Sequence, residues 1–247
     1  VMNLGTWSES APRQGPATAT SGIDFAVSVR PETGGASLVF FSVRHDASHS
    51  DILVQTSDES WQADNPYSGR SLYGQAGFDL PNRAFKVSYN RPYHTRVYEF
   101  YSWIFNAEYP MVRFLEANGY DVSYLSSLDA DRSGPLILQH KALLSVGHDE
   151  YVSGNERTNI EAARAAGVNL AFFSGNEVFW KIRWEPSIDG SNTANRTMVC
   201  YKETHSNRVT DPQDPPIWTG TWRDARFSPP GDGGLPENAL TGTIFMV

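Results

Sequence analysis

Short apolar runs separated by polar and glycine-containing stretches set the rhythm of this chain. Seven of them are "ASLVFFSVR" from position 36, "DILVQTS" from 51, "AFKVSYN" from 84, "YDVSYLS" from 120, "ALLSVG" from 142, "NLAFFSG" from 169 and "TMVCYKE" from 197. They are rich in Val, Phe, Leu and Tyr and too short for helices, so they predict strands. Two longer segments carry helical spacing. One runs from about Glu99 to Asn118 and is closed by Gly119; the other runs from about Gly154 to Ala166, is closed by Gly167, and has Ser153 or Asn155 as its starting cap. Residues 142 to 174 therefore read strand, loop, helix, strand, with strands apolar enough to be buried on both faces. That is a βαβ unit. With the earlier helix feeding "YDVSYLS", it predicts an α/β fold built on a mainly parallel, doubly wound sheet, whose ligand sites lie at the carboxyl ends of the strands.

The first 35 residues have another texture, rich in Ser, Thr, Pro, Gly and Ala with little period. They are expected to be an extended arm or the tail of a preceding module, with residues 36–247 as the α/β domain. At the other end, "LTGTIFMV" reaches Val247 without turn residues, which leads us to expect that the domain continues and that its partners include neighbouring domains of a longer chain.

Composition narrows the function classes. The formal charge of -8 arises from 28 acidic and 20 basic residues with no Lys/Arg-rich run, which argues against nucleic acid or an anionic membrane surface as partner. No stretch approaches a membrane span. The lone Cys200 rules out an intrachain disulfide and a multi-cysteine zinc site. Lying inside a predicted strand, it reads as a small buried hydrophobe rather than a nucleophile. The chain has no G-x-S-x-G elbow, H-E-x-x-H, P-loop or G-x-G-x-x-G.

Candidate chemistry gathers in "VGHDEYVS", where His148, Asp149, Glu150 and Tyr151 follow the strand at 142. Acidic residues before a helix are favoured by its dipole, so this cluster could be an ordinary helix start. In an extended segment, however, His148 and Glu150 fall on one side and Asp149 on the other. A histidine and a carboxylate on a shared side form an acid/base pair or a metal ligand with its hydrogen-bonding neighbour. Asn176 and Glu177 end the next strand and are candidates for a substrate pocket; alternatively, Glu177 pairs with Lys181 one helical turn on. Trp180 and Trp184, four apart, suit a core face. The stretch "SWQADNPYSGRSLYGQ" is longer than a connection requires and brings Tyr67, Tyr73 and Asn65, a third substrate-pocket candidate, after a strand; alternatively it is an ordinary surface loop with tyrosines as amphipathic filler.

Taken in order, "DILVQTSDESWQADNPYSGRSLY", "KVSYNRPY", "FLEANGYDVSYLSSLD", "LLSVGHDEYVS", "LAFFSGNEVFWKIRWE" and "GTWRD" resemble the C-terminal domain of the N,N-dimethylformamidase large (beta) subunit family. The likeness runs from about Ala36 to Val247. It implies a three-layer α/β sandwich similar to class I glutamine amidotransferase domains, and hydrolysis of a small C–N amide bond. It also implies a mononuclear ferric iron held by a glutamate and two tyrosinates, with a histidine beside it in an H-x-E arrangement. Here H-x-E matches His148-Asp149-Glu150, so Glu150 is the expected metal ligand and His148 the proton carrier, and these two are the candidate catalytic residues. Tyr67 and Tyr89 are the expected tyrosinates, with Tyr73 in reserve. Where relatives carry an aromatic, this chain has Asp64. The expected partner is a small-molecule amide, with oligomerisation open. The alternative reading is a non-catalytic ligand-binding or structural module of the same fold.

Overall fold

The seven apolar runs are all strands in the computed structural model, which describes residues 18–74, 82–93, 104–106, 108–228 and 234–244. Ten strands are found among these residues: β1 (Gly22–Val29), β2 (Ala36–Val43), β3 (Ile52–Thr56), β4 (Lys86–Ser88), β5 (Val122–Ser126), β6 (Ala142–Gly147), β7 (Tyr151–Ser153), β8 (Asn169–Ser174), β9 (Trp180–Glu185) and β10 (Thr197–Val199). The helices are α1 (Asp58–Asp64), α2 (Tyr109–Ala117), α3 (Ser127–Arg132), α4 (Gly154–Ala165), α5 (Glu203–Ser206) and α6 (Asn238–Thr241). No described helix is long and apolar enough to cross a membrane.

The central sheet has the order β5-β3-β6-β8 and every pairing in it is parallel, so the βαβ reading of 142–174 holds. Alternate residues of its strands face opposite ways. Leu53, Leu125 and Leu143 pack on one face with Ala130 of α3 and Ile160 and Ala163 of α4. Val54, Tyr124, Leu144 and Val146 pack on the other with Val112 and Leu115 of α2. Both faces are thus apolar and covered by helices, giving an α/β fold. Ser153 caps α4 in a box with Glu156, as its sequence position predicts.

A second, mixed sheet has the order β4-β10-β9-β7, with β7 and β9 parallel and the other pairs antiparallel. Sequence periodicity misread its third strand. Residues 180–185 are extended rather than helical, so Lys181 is a buried residue of β9 and is not one helical turn beyond Glu177. A spacing of four satisfies a period of two as well as 3.6. Trp180 and Trp184 do share a core face, but through strand alternation, together with Ile182.

Two boundaries also differ. Residues 22–29, read as part of an aperiodic arm, form β1 and pair antiparallel with β2 from Gly22↔Val43 to Val29↔Ala36. The helix expected over 99–118 is seen from Tyr109, after a turn at 104–106; positions 94–103 and 107 lie outside the described residues, as do 1–17 and 245–247.

Candidate active site

The loop between β6 and β7 crosses from the parallel sheet to the mixed one and carries His148, Asp149 and Glu150 at the carboxyl end of β6. It can make the turn because Gly147 sits at φ +108°, and a Cβ there would collide with Glu108 Oε1 and Ser57 Oγ. Every backbone N–H that follows is held. His148 donates to Ser57 Oγ at 3.2 Å, Asp149 to Ser174 Oγ at 2.8 Å and Glu150 to Ser60 Oγ at 3.1 Å. The carbonyls of Asp149 and Glu150 accept from Val178 (2.9 Å) and from Phe179 and Trp180 (2.9 and 2.8 Å). Pinned from α1, β8 and β9, the loop is preorganised.

Glu150 is the centre of this arrangement. Its Oε2 accepts from the Tyr73 hydroxyl at 2.7 Å and from His148 Nε2 at 3.2 Å. Burial alone would raise the Glu150 pKa, but the His148 hydrogen bond, the Lys202 and His148 charges and the Tyr73 hydrogen bond hold it below the usual value. The carboxylate is therefore ionised at neutral pH. His148 is shifted upward: burial works against its charge, and the hydrogen bond and charge of Glu150, with Asp64 and Asp149 behind, outweigh it. Tyr73 keeps its proton, because burial and the negative charges of Glu150 and Asp64 push its pKa well up.

Lys202 completes the site. It is 1% exposed, adopts a left-handed conformation just beyond β10, and donates to the Tyr151 hydroxyl at 2.6 Å. Its Nζ lies 3.4 Å from the Tyr73 ring centroid and 4.6 Å from that of Trp180. Burial lowers its pKa to about 8, against the pull of Glu150. Asp64, the last residue of α1, acts electrostatically on Tyr73, Tyr151, His148 and Lys202. Asp64 stood out in the sequence only as a departure from its relatives, and Lys202 did not stand out at all. The available hint was a lysine placed directly after an apolar strand run.

Asp149 points away from Glu150, as alternation predicts, into a buried acidic pocket. Its Oδ2 accepts from Ser145 Oγ at 2.6 Å and from Gln55 Nε2 at 3.0 Å, and Gln55 Nε2 also reaches Glu156 Oε1 at 2.8 Å. Burial, with the Asp58 charge, raises Asp149 to about 7 despite those hydrogen bonds. Glu59 and Glu156 share the pocket, and burial and their neighbours' charges raise both well above the carboxylate range.

Of the other expected residues, Tyr89 gives its hydroxyl to Asp58 Oδ2 and stacks edge-on against Trp184. Asp58 also accepts from Thr56 Oγ1 and the Ser127 N–H. The Tyr67 N–H donates to Asn65 Oδ1 at 3.0 Å and its carbonyl accepts from Arg91. Asn65 spends its amide bracing that loop, donating to Gln62 Oε1 and the Pro92 carbonyl. Asn176 and Glu177 are half-buried beyond β8, with Asn176 at φ +55°. Cys200 is fully buried, and burial raises its thiol to about 12, which suits a packing role.

A carboxylate and a phenol meeting on one oxygen are hard donors, so Glu150 and Tyr73 suit a trivalent cation in chemical type. The structure gathers this pair with His148; it directs the Tyr89 hydroxyl elsewhere. Among the described residues no group of three or more His, Cys, Asp or Glu is arranged to hold a metal ion.

No curated protein matches the chain. The family model for N,N-dimethylformamidase beta subunit-like, C-terminal, matches residues 2–247, which include the whole of the parallel sheet and every residue of the Glu150 site. On that match the chain belongs to the N,N-dimethylformamidase beta subunit-like C-terminal family.

Proposed function

We propose that this domain hydrolyses a small C–N amide at the Glu150 site, with the layered architecture of class I glutamine amidotransferases as its scaffold. Family membership suggests amide hydrolysis. The observation that carries the reading is the convergence of Tyr73 and His148 on one ionised oxygen of a buried glutamate, beside a buried lysine. A resting helix start does not require that investment of charge in a protein interior.

In this reading His148 moves the proton. With Nε2–H given to Glu150, the neutral ring's Nδ1 takes a proton from the attacking water as oxygen bonds to the carbonyl carbon, then returns it to the nitrogen as the C–N bond breaks, releasing a carboxylic acid and an amine. Glu150 orients the imidazole and stabilises its charged form through the 3.2 Å contact. Tyr73 holds the Glu150 carboxylate from a second side, and Lys202 supplies positive charge on the side where oxygen becomes negative. Trp180 and the rings around Lys202 limit water. Should ferric iron be bound, Glu150 and Tyr73 would be its protein oxygen donors, and the ion would polarise the carbonyl and acidify water. Asn176 and Glu177 would then border the substrate.

The test is amine release from a series of formamides and acetamides, with purified protein loaded with iron or stripped of it. Turnover lost in His148→Ala at unchanged folding supports the proposal. A folded protein that releases no amine in either metal state favours the non-catalytic module.

A further inference from the structure

We infer that the outer edge of β1 is a dimerisation strand, which pairs antiparallel with β1 of a second copy of this chain about a twofold axis at Val27. The hairpin register fixes which backbone groups are available. Arg30 N–H donates to Gly35 at 2.7 Å and Ser28 lies opposite Ser37, so even-numbered residues of β1 bond to β2. The N–H and C=O groups of Ile23, Phe25, Val27 and Val29 face the other way. Among the described residues no strand pairs with that edge.

Natural edge strands are usually blunted by a lysine, a proline or an inward charge. β1, "GIDFAVSV", has neither of those residues, and its outer half is exposed, with Val27 at 60% and Val29 at 57%. A twofold through Val27 makes Val27 face Val27 and Phe25 face Val29 as hydrogen-bonded pairs, extending one apolar face across both copies. The same register sets Asp24 of each copy opposite Arg30 of the other in a non-hydrogen-bonded pair, where side chains approach most closely. Shifting the register in either direction loses this charge match. Among the described residues the Arg30 side chain forms an ion pair with Glu32, at 3.9 Å with both side chains 75% exposed. Self-complementarity of backbone, apolar face and charge is what an isologous interface requires.

The experiment is sedimentation equilibrium of the 247-residue chain, with the charge pair and the axis tested separately. Expected is a reversible dimer that Asp24→Arg weakens by about tenfold, and that Asp24→Arg with Arg30→Asp restores to within about threefold. Val27→Cys should form a disulfide-linked dimer on mild oxidation, since a hydrogen-bonded antiparallel pair places the two Cα atoms about 5.5 Å apart. Cys200 is buried and cannot compete. A wild-type monomer whose Val27 thiol variant does not cross-link overturns the inference, whether the edge amides exchange freely or are protected within one chain. A dimer indifferent to Asp24→Arg overturns it too.

Discussion

Glu108 offers a quantitative check on the way this site is built. It is fully buried, accepts from the Ser57 hydroxyl, from the Ser57 N–H at 3.3 Å and from Trp61 Nε1 at 2.8 Å, and its Oε1 fills the space that a side chain at Gly147 would need. Burial raises its pKa from 4.5 to about 7, with those three hydrogen bonds opposing. Between these values the native state binds a proton that the unfolded chain has released, so stability falls as pH rises across that window and is level above it. A carboxyl shifted that far contributes about 3 kcal/mol to the fall. Glu108→Gln keeps the shape and the acceptor oxygen but cannot ionise. Urea unfolding of both proteins from pH 4.5 to 8 should show the variant gaining on the wild type by about 3 kcal/mol over the range, with most of the change complete by pH 7. Asp149, Glu59 and Glu156 bend both curves alike and cancel in the difference. Parallel curves would refute the claim that Glu108 is buried at the cost of its charge.

Tyr73→Phe should cost about 1 kcal/mol of stability through the hydrogen bond to Glu150, measured by urea melts, while reducing any amidase activity far more. Arg91→Lys should destabilise by about 3 kcal/mol, because a buried guanidinium that donates to the carbonyls of Gln62, Asn65, Arg70 and Ser88 becomes an ammonium that cannot reach them together. Amide turnover should rise with pH through a raised His148 pKa, above 6.5, as the imidazole becomes able to accept a proton; a flat profile in a folded His148→Gln variant, beside a rising wild type, would identify the group. The stability that His148 contributes has its own sign: it is complete below 6.5 and lost as pH rises through the folded value. Native alkylation of Cys200 should be slow and leave function intact, given a thiol raised to about 12.

Much of the scaffold is legible in the sequence because buried parallel strands leave dense apolar runs. Residues 52–56, 142–147 and 169–174 announce themselves in this way, and so does α4 between Ser153 and Gly167. Glu150 with His148 is also legible, from strand position and alternation. What escaped has a common cause. β7 has three residues and no period of its own, and β9 spaces its tryptophans at an interval that suits helix and strand equally. Lys202 reaches the site only because β10 and β9 pair and bring residue 202 beside residue 180, a proximity that no local pattern encodes. Choosing among Tyr67, Tyr73 and Tyr89 required the same long-range information. Tyr73 meets Glu150, while Tyr89 is drawn to Asp58 by the way β4 lies beside α1.

The central claim is that the ionised Glu150 carboxylate, with Tyr73 and His148 donating to it, forms the working centre for amide cleavage. Glu150→Gln tests it most directly, since it retains volume and one acceptor oxygen while removing the charge. Amine release from formamides should fall by about a hundredfold or more in the variant, with its unfolding midpoint near that of the wild type. Equal turnover by wild type and Glu150→Gln would contradict the account.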